Sequence, residues 1–528
     1  MKKTFLRGLA ASVLMFSAMW PAAAQPVTPA AATVEVNQFV VEGMKTLNPS
    51  EAEAVLAPYR GRPLTFAELE AAAQAVAELY RARDYFTVSA YLPKQELGDG
   101  TVTIKVVESN LDDIAIEGNK RYSDDYIKWM LEPVAEDAKG GLPRRSVLQR
   151  QLLLLNDNMD LDAKSIVRAG ENQESVDLLV QVEDDLPTHF TIDYNNLGAR
   201  FTGRNRLGGT FEWGNLTNRA DVLTLRYVDS DLLNADVQGV DLFNLNYSTP
   251  LNNKGTQLNF GYANSAFQVG RELQILDIRG DADVLSLLVE HPLIRDTDKN
   301  LYLSGGFVYQ DINNTILGTQ LSEDRLREVV LGVRGDWNSG NGRNFGGARI
   351  TQDLGNVLGG LSPNDPLTSR QAGGGFTKLN FDLARVQRFS DQFYGILRGS
   401  HQAAFAPLPY AEQYGLGGIS TVRGYVQSAY LADAGYNVNA ELRWAPIESD
   451  RELFQFGVFL DHGAGYLKRP FPGEINNTSL TGAGFGLHFR LPEETYIRAE
   501  VGFPLGNNEV TDPDDNDPVP YLIFSKRF

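Results

Sequence analysis

Asn437 to Trp444 reads NVNAELRW. Val438, Ala440, Leu442 and Trp444 alternate with Asn437, Asn439, Glu441 and Arg443. An extended chain with this pattern has one apolar face, ending on an aromatic, and one fully polar face. The same period of two recurs at Leu223-Leu225-Tyr227, Phe243-Leu245-Tyr247, Leu258-Phe260-Tyr262 and Leu379-Phe381-Leu383. From Pro187 onward helical periodicity is gone. A soluble sandwich also alternates, but its strands are shorter and its turns closer. Here strands of about 10 residues are separated by alternately short turns and long Gly/Asn/Asp loops, the spacing of a transmembrane β-barrel. The longest loops are read at Asn338 to Pro366 and at Asn507 to Pro518. Residues 189 to 528, at roughly 20 residues per strand plus connection, make about 16 strands.

The start of the chain fits export to such a site. Lys2, Lys3 and Arg7 precede an apolar stretch from Leu9 to Met19, and Ala22-Ala23-Ala24 offers a small-residue cleavage site. This is a secretory signal peptide, residues 1–24, too short to span a bilayer as a helix. No later apolar run approaches 18 residues, which excludes a helical membrane protein.

Between these parts lies a repeat. FVVEGMK (Phe39 to Lys45) returns as IAIEGNK (Ile114 to Lys120), and Val107-Glu108 returns as Val182-Glu183, each pair 75 positions apart. In the first copy Asn48-Pro49-Ser50-Glu51 and Thr65-Phe66-Ala67-Glu68 are helix starts. The second helix carries Leu69, Ala72, Ala73, Val76, Leu79 and Tyr80 on one face. Strands follow around Phe86 to Leu92 and Thr101 to Val107, turned by Gly98-Asp99-Gly100. The order is β-α-α-β-β. The second copy repeats it, with Leu148, Leu152 and Leu155 on its second helix.

The remaining chemistry narrows the function. There is no cysteine, so no disulfide framework and no thiol site. Lys+Arg 48 against Asp+Glu 67 leaves −19, which lacks the basic face a nucleic-acid binder needs. His189, His291, His401, His462 and His488 are scattered without metal spacing, and no nucleophile elbow or phosphate loop is present. An enzyme is not expected, nor a metal or other cofactor.

The layout resembles the two-partner secretion transporters (TpsB), of haemolysin secretion/activation type, in the superfamily of outer-membrane assembly barrels. The match to the first repeat is densest in AYLPKQELGDGTVTIKVVE, Ala90 to Glu108. Asp84 and Ser109 stand where family members usually have glycine. EQYGLGGISTVRGY, Glu412 to Tyr425, resembles the superfamily's loop motif. The resemblance implies a signal peptide (1–24), a short linker (25–36), two periplasmic POTRA domains (37–109 and 110–186) and a barrel of about 16 strands (187–528). Residues 25–36 are too few for a plug helix across a barrel. The loop is expected to fold into the lumen, with Gly417, Gly418, Val422, Arg423, Gly424 and Tyr425 at its tip. Glycine there suits a chain turning sharply in little space. The family's wall motif Phe-x-Asp maps to Phe459-Leu460-Asp461. Alternation supports it independently: Phe454, Phe456, Val458 and Leu460 share the lipid face, so Phe459 and Asp461 point inward.

The resemblance also implies function and partners. POTRA domains would recognise an unfolded exoprotein client of haemolysin or adhesin type, and the barrel would secrete it. The alternative is an insertase or assembly factor of the same superfamily. Phe528 would be the terminal signal read by the barrel assembly machinery. The surroundings would be outer-membrane lipid and lipopolysaccharide, and the pore a monomer.

Overall fold

The computed structural model describes residues 32–172, 174–230, 239–362, 365–506 and 518–528. The signal peptide, the start of the linker and the loop from Asn507 to Asp517 lie outside the described residues. No described helix is long and apolar enough to cross a membrane. The chain forms two compact units. One holds the described residues through Ala82 with Val88–Val107, the other Arg83–Thr87 with Glu108–Phe528.

In the first unit, strands Gln38–Glu42, Thr101–Glu108 and Val88–Tyr91 form a sheet in that order, the first pair parallel. Asn48 caps helix Pro49–Leu56 by accepting from the Ser50 N–H at 3.1 Å. Thr65 and Glu68 cap helix Phe66–Ala82 reciprocally: the Thr65 N–H donates to Glu68 at 2.8 Å, and the Glu68 N–H donates to the Thr65 hydroxyl at 3.3 Å. Leu69, Ala72, Ala73, Val76 and Tyr80 are buried as the periodicity requires, whereas Leu79 is only half-buried and Ala77 takes a core place instead. Thr33–Val36 is not linker: it is a strand paired antiparallel with Arg62–Thr65.

The second repeat has the same order. Strands Asn110–Glu117 and Ser175–Asp184 pair in parallel, Leu161–Ala169 flanks the latter, and helices Asp124–Lys139 and Arg145–Leu155 cover one face. Gly43 and Gly118 occupy the same place in the two copies. Each has positive φ, and an added Cβ would lie 2.2 Å from the Val106 carbonyl oxygen or 2.5 Å from that of Val182. Pairing of Glu42 with Lys105 and of Glu117 with Gln181 sets the closing strands 76 positions apart (181 − 105). The match of Val107-Glu108 to Val182-Glu183 is therefore one residue out of structural register. Asp84 has φ 74, the conformation that favours glycine. Its side chain also caps helix Arg145–Leu155, accepting from the Ser146 N–H at 3.1 Å. Arg144 at the helix N-cap makes no side-chain capping bond, so the aspartate has a use that glycine could not serve.

Among the described residues, sixteen antiparallel strands from Thr188–Asn195 to Val519–Arg527 close into a barrel in sequential order. The last strand meets the first from Ile523↔Asn195 to Arg527↔Thr191. Apolar residues of the alternating strands face out, as at Leu442, Val458 and Leu460, while their polar neighbours face the lumen. One expected loop is wrong. Asn338 to Pro366 contains the barrel strand Gly342–Asp353. Its outward positions, Asn344, Gly346, Ala348, Ile350 and Gln352, carry little apolar surface, so alternation is faint there. The second repeat is bonded to turns at one end of the barrel. Arg150 donates to the carbonyls of Lys254 (3.1 Å) and Pro292 (2.6 Å), and Gln151 donates to that of Asn253 (2.8 Å).

Candidate functional site

The chain between strands Phe393–Ala404 and Ala434–Trp444 folds into the barrel. A short ribbon, Tyr414–Leu416 with Tyr430–Ala432, carries the tip inward. Leu416, Val422, Tyr425, Tyr430 and Ala432 pack with Leu467 and Leu480 into a small apolar core. Gly417, Gly418 and Gly424 have φ near +100 (106, 97 and 100), so the two sharp turns need glycine. The stem is fixed by Glu412, which pairs with Lys378 and accepts from Gln310 at 2.9 Å. Fully buried Asp433 accepts from the Leu408 N–H at 2.9 Å and the Lys468 N–H at 2.7 Å.

At the tip, Arg423 meets Asp461. The arginine Nε and Nη2 donate to the two carboxylate oxygens at 2.7 and 2.9 Å, and its backbone N–H adds a third bond at 3.0 Å. The guanidinium carbon lies 3.5 Å from the centre of the Phe459 ring. Both residues of the Phe-x-Asp wall motif therefore touch the same guanidinium. Arg423 is only 3% exposed and Asp461 0%, which differs from the water-filled surroundings a hollow pore suggests. The tip fills its part of the lumen and excludes water.

Two further carboxylates complete the site. Arg423 Nη1 donates to Glu441 at 2.9 Å and to Glu500 at 3.3 Å. Arg443 pairs with Glu441, and Arg498 with Glu500 at 2.8 Å. Three arginines thus face three carboxylates, a closed network in which no charge is left alone. Sequence reading missed Glu441 and Glu500. Their signal was alternation, since both are acidic residues at inward positions of strands near Asp461.

Glu441, His488 and Glu500 also lie close enough together to offer one ligand atom each to a cation. Every oxygen of both glutamates already accepts from a guanidinium. The donor set is therefore that of an ion-pair network rather than of a metal site.

Close approach completes the docking. A Cβ on Gly482 would lie 1.7 Å from the Arg423 carbonyl oxygen, and one on Gly502 would lie 2.3 Å from the Gly424 nitrogen. The backbone of the tip therefore rests directly on two wall strands. Tyr425 is buried and its hydroxyl donates to the Thr481 carbonyl at 3.0 Å. Phe528 lies apart from this cluster, at the barrel seam. It exchanges backbone hydrogen bonds with Phe190 at 2.8 and 3.3 Å, and the residue is 63% exposed.

Two β-α-α-β-β domains followed in the chain by a closed sixteen-stranded barrel, with an arginine-tipped loop in its lumen, define an outer-membrane transporter of the POTRA–barrel class. The model of the haemolysin secretion/activation protein ShlB/FhaC/HecB family matches residues 174–489, and that of the ShlB-type POTRA domain matches residues 34–109. The chain belongs to this haemolysin secretion/activation family and is an outer-membrane transporter of two-partner secretion, its POTRA domains in the periplasm.

Relatives agree. The heme/hemopexin transporter protein HuxB of Haemophilus influenzae is 24% identical over 467 residues, covering 87% of this chain and 81% of its own. The outer membrane transporter CdiB of Escherichia coli is 22% identical over 437 residues, 78% of this chain and 69% of its own. Among solved structures, CdiB from Escherichia coli has a TM-score of 0.72 at 21% identity, covering 96% of this chain and 93% of that one. BamA from Haemophilus ducreyi, lacking POTRA domains 1–3, has a TM-score of 0.61 at 13% identity over 94% and 100%.

Proposed function

We propose that the POTRA domains receive an unfolded exoprotein of haemolysin or adhesin type, and that its chain leaves through the barrel when the Arg423 loop shifts. The observation that carries this is the way the tip is held. Apart from its two chain ends, it is fixed by ion pairs, hydrogen bonds and apolar packing, all of which can break and re-form without damage to the wall. Client capture uses strand addition. Val88–Tyr91 is an edge of the first domain's sheet, and an extended chain can complete such an edge with main-chain hydrogen bonds. Translocation makes and breaks no covalent bond, so no catalytic residue is assigned. The pore works as a monomer, and the barrel assembly machinery reads the strand ending in Phe528.

A photo-crosslinking residue at exposed Ser89 tests capture. During secretion it is expected to join the transporter to one large exported protein, while the same residue at lipid-facing Ile350 does not. Absence of any such adduct from Ser89 in secreting cells, with the client still exported, would overturn capture at this edge.

A further inference from the structure

Besides the arginine network, the tip has a second hold on the wall, and it falls on the last strand. Tyr521 lies on Val519–Arg527, the strand that closes the barrel against Thr188–Asn195. Its ring points inward and is 5% exposed, while its neighbour Leu522 faces out at 38%. The Tyr521 hydroxyl accepts from the Gly424 N–H at 2.9 Å and donates to the Tyr425 carbonyl at 2.8 Å. One phenol thus serves both polarities of the backbone immediately after Arg423. A side-chain hydroxyl is suited to this because it offers one donor and two acceptor lone pairs.

Other contacts make the geometry specific. Tyr521 pairs across the sheet with Glu500, a member of the arginine network. Gly424 packs so closely on the neighbouring strand that an added Cβ would lie 2.7 Å from the Phe503 carbonyl carbon. The Gly424 N–H finds its acceptor in the Tyr521 hydroxyl, which reaches in from the last strand.

We propose that Tyr521 is a positioning residue for the lumen loop: its hydroxyl ties the tip to the closing strand, so that the loop leaves the lumen only by releasing that strand. This rests on the loop being the element that moves during export.

Tyr521→Phe keeps the ring and removes only the hydroxyl, leaving the buried Gly424 N–H without its acceptor. That loss is expected to raise the population of the released tip about tenfold or more. The chain has no cysteine, so a single nitroxide label on Ser420→Cys, an exposed tip position, reports the loop alone. In Tyr521→Phe the label is expected to gain a mobile component and single-channel openings to become more frequent, while heat-modifiable migration stays normal.

An unchanged spectrum and unchanged openings would overturn the proposal. So would loss of barrel assembly, because the hydroxyl would then be a folding element. Label mobility is read without a client. A mobile tip with openings no more frequent than in the wild type would therefore uphold the phenol's hold on the tip while refuting the reading in which the loop's shift opens the pore.

Discussion

Replacing Arg423 by alanine leaves the backbone bond to Asp461 and deletes everything else the arginine does. Four side-chain hydrogen bonds to three carboxylates are lost, together with the contact over Phe459. Asp461, 0% exposed, is then an ion without a counter-charge. Removing one partner of a buried pair costs about 3–5 kcal/mol, or roughly two to three and a half powers of ten in the docking equilibrium. Asp461→Ala is milder, because Glu441 and Glu500 still hold the guanidinium. The loss is then nearer the ~1.5–3 kcal/mol of charged hydrogen bonds. The sixteen-strand ladder is untouched in both, so both barrels should insert with normal heat-modifiable migration. Planar-bilayer recordings should show Arg423→Ala with large, frequent openings and Asp461→Ala with intermediate ones. Export should fall in both, at least tenfold in the former. Wild-type conductance and export in Arg423→Ala, or a harsher effect in Asp461→Ala, would refute the reasoning.

Three other outcomes are expected. Gly502→Ala should release the tip without harming the wall, since its methyl would occupy the place of the Gly424 nitrogen; bilayer recording of the inserted barrel checks it. Phe528→Ser should lower the amount of assembled, heat-modifiable barrel, since it removes the exposed aromatic beside the closing strand that the assembly machinery is proposed to read, while the backbone bonds to Phe190 remain. In the first POTRA domain, the Thr65 N–H and then the Arg62 guanidinium lower the Glu68 carboxyl from 4.5 to about 2. Its folded pKa is depressed, so the stability it contributes is present above about pH 4.5 and is lost as pH falls toward 2. Carboxyl NMR should find Glu68 ionised at pH 3, and Glu68→Gln should remove its share of the acid dependence.

Much of the architecture was legible because its signals are local. Alternation gave the barrel, and the caps at Asn48 and Thr65 gave the first domain's helices. Strand Gly342–Asp353 was lost because glycines and polar residues stand at its lipid-facing positions. Thr33–Val36 was lost because a short edge strand has no pattern long enough to read. The repeat offset was one residue out because an apolar pair followed by glutamate can be matched in two registers, whereas close approach of glycine to a carbonyl picks one. At the lumen site, Arg423, Phe459 and Asp461 were legible through motif and alternation together. Glu441, Glu500 and Tyr521 were not, because their roles depend on which inward positions the tip reaches, and that is a matter of barrel curvature. Asp84 shows the opposite case, in which a departure from glycine becomes intelligible only when its carboxylate is seen capping a helix 61 residues on (145 − 84).

The central claim is export of a partner protein. It is tested most directly by comparing the proteins in culture supernatant of wild type, a deletion strain and the deletion strain carrying the gene on a plasmid. One large exported protein should vanish on deletion and return on complementation, with the other outer-membrane barrels at normal levels. An unchanged supernatant together with a fall in those barrels would contradict secretion and mark the chain as an assembly factor.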